Sequence, residues 1–149
     1  RMLVLIGPDG FDAQQELAAL SDHHHPERVM RLPWINRSDI LAILRKARAV
    51  VFPSLAEGFG LPIVEAMALG VPVLTSRRGA TEEIAGKAAY LCDPLDIESI
   101  AEGLIRLDKD EIMRQNLVTL GNDHVKLFSL HEYGSRFRDL YQNFPGISC

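Results

Sequence analysis

Apolar residues come first in short blocks rich in β-branched side chains, and later in longer stretches with helical spacing. Residues 3–6, Leu-Val-Leu-Ile, predict a strand that ends at the turn Gly7-Pro-Asp-Gly10. Residues 29–35 predict a second strand with Pro33 near its end, residues 49–52 a third, 71–75 a fourth and 88–92 a fifth. The blocks are continuous rather than alternating, which is the pattern of strands buried on both faces of a parallel sheet. Helical patterns separate them. Residues 11–20 place Leu17 and Leu20 on one face; a second helix, capped by Ser38, would turn Ile40, Leu41 and Leu44 inward. A third covers residues 62–69, with Pro62 in its first turn and Gly70 as its C-terminal cap. A short fourth covers 81–85. Strands alternating with helices predict right-handed βαβ units and an α/β fold: a Rossmann-like doubly wound parallel sheet of about five strands.

After Pro94 the pattern is helical. Ile97, Ile100, Ala101, Leu104, Ile105 and Leu107 form one stripe, residues 111–120 a second and 131–144 a third. The expected organisation is one domain over residues 1–149, a β/α core at 1–94 and a helical tail at 95–149. Core packing is the expectation for Phe137 and Leu140, while Tyr133, Phe137 and Tyr141 together could also mark a surface against which another lobe packs. At 149 residues, 47% hydrophobic and 24% charged, the chain can bury a sizeable core without disulfides or a structural metal. Its formal charge of −4 makes it a poor binder of nucleic-acid backbone. The two cysteines, Cys92 and Cys149, are too few for a zinc pattern or a secreted scaffold, which favours a reduced, cytoplasmic setting. No apolar run approaches the roughly 20 residues that a bilayer span needs. The chain begins directly on a strand and without methionine, so it is expected to be a piece of a longer protein.

Ligands of open parallel sheets bind outside the carboxyl ends of the strands, and one strand-to-helix loop is unusual. It reads Pro53-Ser54-Leu55-Ala56-Glu57-Gly58-Phe59-Gly60-Leu61-Pro62-Ile63-Val64-Glu65. Gly58 and Gly60 let the backbone come close to a ligand, and the first N–H groups of the next helix lack intrahelical partners, so an anion can be held there without lysine. Glu57 stands just before those amides and Glu65 about one turn into the helix. Carboxylates on both sides of an anion-binding helix end suit a sugar nucleotide. The plainer reading is a surface acid at Glu65 and a loop acid at Glu57 near the positive helix end. Both remain open on the residues alone, since isolated Gly-x-Gly loops are common.

The stretch from Phe52-Pro-Ser54 through Glu57-Gly-Phe-Gly-Leu-Pro62, Glu65-Ala-Met-Ala68 and Gly70-Val-Pro-Val73 closely resembles the Glu-x7-Glu signature of family 4 (group 1) retaining glycosyltransferases of GT-B fold. The likeness extends over nearly the whole chain, through residues 3–7, 29–35, 79–84 and 90–94. It implies a donor-binding C-terminal domain that takes a nucleotide diphosphate sugar, with no metal and no other cofactor. Glu57 would bind hydroxyls of the donor sugar and act as the catalytic residue. Ser54 and Gly58 would belong to the same donor site, the N–H groups of Phe59, Gly60 and Leu61 would hold sugar or diphosphate, and Glu65 would accept both ribose hydroxyls. The base would lie near Pro33, Trp34 and Ile35. The leaving diphosphate would help deprotonate the acceptor on the same face. A glycan or lipid-linked acceptor would be bound by an N-terminal lobe preceding this chain, and that stretch would also carry the cations that neutralise the diphosphate. Such an enzyme would be cytoplasmic, at or near the inner membrane face, with peripheral membrane association.

Arg77 and Arg78 depart from the family pattern and either touch phosphate or are solvated. His23-His24-His25 reads as a solvated turn, Cys92 as a buried strand residue, and Trp34 as a base-stacking aromatic or one packed on neighbouring helices. Two other classes share the architecture: a GT-B sugar-nucleotide epimerase, which would yield an inverted free sugar instead of a new glycosidic linkage, and a non-catalytic nucleotide-binding module.

Overall fold

The structure is a computed structural model that describes residues 1–10, 13–21 and 24–144. The sequence features at Phe11, His23 and Cys149 lie outside the described residues. Two compact units divide the chain, Arg1–Ile43 and Leu44–Cys149. All five expected strands are present: β1 (Leu3–Ile6), β2 (Val29–Leu32), β3 (Val50–Phe52), β4 (Val73–Ser76) and β5 (Tyr90–Cys92). Their hydrogen bonds form two parallel ladders, β1-β2 and β3-β4-β5.

In the first unit β1 pairs with β2 in the register Leu3↔Val29 to Ile6↔Leu32. The ladder extends one step to the Gly7 N–H, which donates to the Leu32 carbonyl at 3.0 Å. Leu3, Leu5, Ile6 and Met30 are exposed, contrary to the two-sided burial that their apolar run predicts. A pair of four-residue strands with the short helix α1 (Gln14–Ser21) lacks the surface to cover both faces. The second strand stops at Leu32 and not at Ile35, because Pro33 has no N–H to give a ladder. Helix α2 (Arg37–Lys46) is capped by Asn36, not Ser38. The Asn36 Oδ1 accepts the Asp39 N–H at 3.0 Å, while Ser38, already inside the first turn, donates its hydroxyl to that same oxygen at 2.5 Å.

The second unit holds the dense core. Its registers run Val50↔Val73 to Phe52↔Thr75 and Leu74↔Tyr90 to Ser76↔Cys92. Successive strand residues alternate between two apolar clusters. Val50 and Val73 face Ile63, Ala66 and Met67 of α3 (Leu61–Ala68) and Ile84 and Ala85 of α4 (Gly79–Ala85). Leu74 and Cys92 face Leu107 of α5 (Ile97–Lys109) and Leu117 of α6 (Glu111–His124). Both faces are covered, so β4 is buried along its whole length and its apolar pattern needs no polar alternation. Cys92 is fully buried, its Sγ donates to the Thr75 carbonyl at 3.4 Å, and burial pushes its thiol pKa up, the opposite of an activated nucleophile.

Helix ends follow local chemistry. Gly70, at φ +68°, closes α3: its N–H reaches the Met67 carbonyl at 3.0 Å and the Val71 N–H reaches that of Ala66 at 2.9 Å, a Schellman pair. Asp96, Asp110 and Ser129 each accept an N–H from the first turn of α5, α6 and α7 (Leu130–Gln142). Along α7, Tyr133, Phe137 and Tyr141 form a row of neighbouring rings with centroids 6.2 and 5.0 Å apart. Phe137 and Leu140 are exposed, so the expected core packing does not occur: the apolar stripe of α7 faces away from the rest of its unit. No helix among the described residues is long and apolar enough to cross a membrane.

At Gly103 helix α5 lies tight against the sheet. A Cβ there would lie 2.3 Å from Leu74 Cδ1 and 2.9 Å from Tyr90 Cε1. Gly103→Ala should therefore destabilise the domain by about 1–2 kcal/mol, the overpacking cost exceeding the roughly 1 kcal/mol gained in helix propensity. Urea denaturation measures this, and a raised midpoint would mean that Leu74 and Tyr90 can move aside.

Candidate functional site

The loops that leave β3 and β4 at their carboxyl ends lie side by side and are joined by hydroxyls. Ser76 Oγ donates to the Ser54 carbonyl at 2.6 Å and Thr75 Oγ1 to that of Phe52 at 2.8 Å, while Thr81 Oγ1, 3.0 and 2.7 Å from the carbonyls of Ser76 and Arg78, closes the β4 loop on itself. These hydroxyls are buried, so bonding to carbonyls meets the cost of burial and fixes where each loop starts. Ser54 Oγ then donates to Glu57 Oε1 at 2.9 Å. A carboxylate accepts at both oxygens, so this bond orients Glu57 and leaves its other oxygen for a ligand. Glu57 itself is exposed.

Past Glu57 the chain turns through Gly58 and Phe59 to Gly60, which is buried and caps α3 in the left-handed region at φ +93° and ψ +47°. A Cβ on Gly60 would be strained by this φ and would approach Ile63 Cδ1 to 3.0 Å. Among the described residues, the N–H groups of Phe59, Gly60 and Leu61 donate no backbone hydrogen bond; Pro62 has no N–H, and the first such bond comes from Ile63 to Gly60 at 3.0 Å. Free donors therefore gather at the positive end of α3. Glu65, five residues into α3, is half-buried where Glu57 is exposed.

Arg77 and Arg78 leave β4 beside this loop and diverge. Arg77 Nη2 lies 3.5 Å from the Leu91 carbonyl, while Arg78, exposed, serves as the N-cap residue of α4. Pro33, Trp34 and Ile35 belong to the first unit, just beyond the carboxyl end of β2. Pro33 lines an open concavity there with Gly7, Pro8, Asp9, Arg31 and Leu32, across which Arg31 pairs with Asp9. Trp34 is 82% exposed, so the packed-aromatic reading of it does not hold. A second concavity, near Arg48, Pro72 and Arg114, opens at the amino ends of β3 and β4, away from the loops. There Arg114 donates to the carbonyls of Leu107 and Asp108 at 2.8 and 3.0 Å, closing the end of α5.

The family described as glycosyl transferases, group 1, matches residues 1–123. The chain belongs to this family. It is 36% identical over 98 residues to the O-antigen chain mannosyltransferase B of Escherichia coli, a match covering 66% of this chain and 26% of that protein. Among solved structures it superposes on the sucrose-phosphate synthase of Thermosynechococcus elongatus with a TM-score of 0.79 at 25% identity, covering 96% of this chain and 39% of that one. It also superposes on the C-terminal domain of a glycosyl transferase group 1 family protein from Francisella tularensis, with a TM-score of 0.72 at 30% identity, covering 84% and 68%. The chain thus spans about a quarter of the length of that mannosyltransferase, as a C-terminal domain of the GT-B group 1 fold. The matched residues 1–123 include the whole Glu57 to Glu65 loop and end inside α6, so α7 lies beyond them.

Sequence reasoning missed Ser76, whose hydroxyl ties the two loops, and Thr81, whose hydroxyl closes the second of them on the carbonyls of Ser76 and Arg78. For Ser76 its position at the end of a buried strand was the available signal. It also missed Phe128, in the 3-10 turn Val125–Phe128, whose ring meets Phe59 edge-on with centroids 5.8 Å apart. Nothing in the spacing could have found that contact.

Proposed function

We propose that this chain is the donor-binding half of a retaining glycosyltransferase that moves a sugar from a nucleotide diphosphate sugar to a glycan or lipid-linked acceptor. The observation that carries the reading is the loop after β3, where a hydroxyl-oriented carboxylate at Glu57, unbonded amides at Phe59 to Leu61 and a second carboxylate at Glu65 follow one another at a helix start. In this reading the amides and the α3 dipole hold diphosphate or sugar oxygens, Glu57 binds sugar hydroxyls and Glu65 takes the ribose diol. The bond from the anomeric carbon to the diphosphate oxygen breaks, the acceptor oxygen bonds to that carbon on the same face, and the acceptor proton passes to the departing phosphate. The protein contributes placement and charge stabilisation. The acceptor lobe lies outside this chain, and the full-length protein acts in the cytoplasm, at the inner membrane face when its acceptor is lipid-linked.

The mannosyltransferase named above favours a sugar-polymer acceptor, and the group 1 family membership favours transfer over epimerisation. Calorimetric titration with UDP-glucose, GDP-mannose and ADP-glucose tests the donor site: one of them should bind and release heat. Silence with all three sugar nucleotides would remove the donor reading.

A further inference from the structure

We propose that Phe128 and His124 are positioning residues for the donor loop, acting through the ring of Phe59. The proposal rests on the donor-site reading for its consequence in binding, but its geometry is independent of it.

The loop has two side-chain ties of different kinds. Ser54 anchors its first half through Ser76 and Glu57. Its second half runs through two glycines, and Gly58 has open space on the side where a Cβ would stand. There the anchor is Phe59, whose ring stands edge-on to Phe128 at an interplanar angle of 87°. Phe128 in turn meets the imidazole of His124 at 5.4 Å and 72°. Edge-to-face contact is the favoured arrangement of such rings, so each member restrains the rotation of the next.

The far end of the series is fixed as well. His124 Nε2 lies 2.8 Å from the Ile84 carbonyl near the end of α4. A carbonyl only accepts, so Nε2 carries the proton and the imidazole is held in one orientation. Room for that ring depends on Gly86, at φ +53°, where a Cβ would come within 2.9 Å of His124 Cε1. A path of contact therefore runs from the end of α4 through His124 and Phe128 to Phe59, in the loop whose free N–H groups precede α3. His124 and Phe128 lie just past residues 1–123, the stretch matched to the family. The restraint gives the end of α6 and the turn after it a part in shaping the donor site.

The test uses Phe128→Leu in the full-length protein, with Phe128→Tyr as the conservative variant. Hydrogen exchange without nucleotide should show residues 55–65 exchanging about ten-fold faster in Phe128→Leu, roughly the worth of one aromatic pair, with α5 unchanged and Phe128→Tyr like wild type. The affinity for whichever of UDP-glucose, GDP-mannose and ADP-glucose binds the wild type should fall by a similar factor. The double variant Phe59→Leu/Phe128→Leu should be no weaker than either single one. Unchanged exchange at 55–65, or additive losses in the double variant, would overturn the proposal. Should Phe128→Leu loosen α5 too, Phe59→Leu at the exposed end decides: local loosening of 55–65 supports the coupling and wild-type exchange refutes it. Failure of all three sugar nucleotides to bind wild type would remove the donor reading, while the exchange result still judges the positioning role.

Discussion

Glu57→Ala in the full-length protein is expected to lower turnover by about 10²–10³-fold while changing nucleoside diphosphate affinity by less than about three-fold. Glu57 sits outside the cluster of amides at the start of α3, on the loop that a sugar would meet, and its carboxylate is turned by Ser54 Oγ at 2.9 Å. One oxygen is occupied by that bond, so the other is presented in a fixed direction. A charge held this way stabilises the sugar ring most when the bond to the diphosphate breaks and positive character builds at the anomeric carbon, which is why the loss belongs in turnover. Glu57→Gln, which keeps an acceptor oxygen and the side-chain shape, should recover only a small part of the rate. Steady-state rates with saturating donor, beside calorimetric affinity for the bare diphosphate, separate the two quantities. Full turnover in Glu57→Ala would remove this residue from the chemistry.

Glu65→Ala should do the reverse, weakening nucleoside diphosphate binding by about 10–100-fold, the worth of one or two charge-assisted hydrogen bonds. Glu65 is half-buried on α3, where alanine is a good helix former, so the variant should stay folded. The ribose can be tested from the ligand side. If Glu65 takes the diol, a 2′-deoxynucleoside diphosphate should bind wild type more weakly, and Glu65→Ala should then cost it less than it costs the ribose form. Equal costs would place Glu65 away from the sugar, and an unchanged affinity for both would take it out of the site.

The backbone of the loop after β3 is largely legible in the sequence. Gly60, at φ +93°, marks the entry into α3 and Gly70, at φ +68°, its end, because backbone conformations open mainly to glycine leave a mark in sequence, whereas Gly58 adopts no such conformation. The strands of the second unit were legible because covering both faces of a sheet demands unbroken apolar runs. The same rule misled at β1, where an equally apolar run is exposed: the rule registers apolarity but not how much surface is available to cover it. Asn36 was passed over in favour of Ser38 because a cap depends on where the first turn begins, and one residue decides it. Phe137 and Leu140 carried a helical stripe that looked like core, yet periodicity shows which side of a helix is apolar and not what lies against it.

The sequence by itself determined the order of strands and helices, the loop with its two carboxylates and the family to which the chain belongs, because these depend on neighbours within about ten residues or on a contiguous motif. Only the tertiary structure decided what holds that loop. The bonds from Ser76 to Ser54 and from Thr75 to Phe52 join residues 22 and 23 positions apart, and His124 reaches Ile84 across 40. Contacts of that span arise from the parallel pairing of β3 with β4 and from the return of α6 toward the end of α4. Local propensity carries no record of them, since each partner would look the same in sequence if the other were elsewhere.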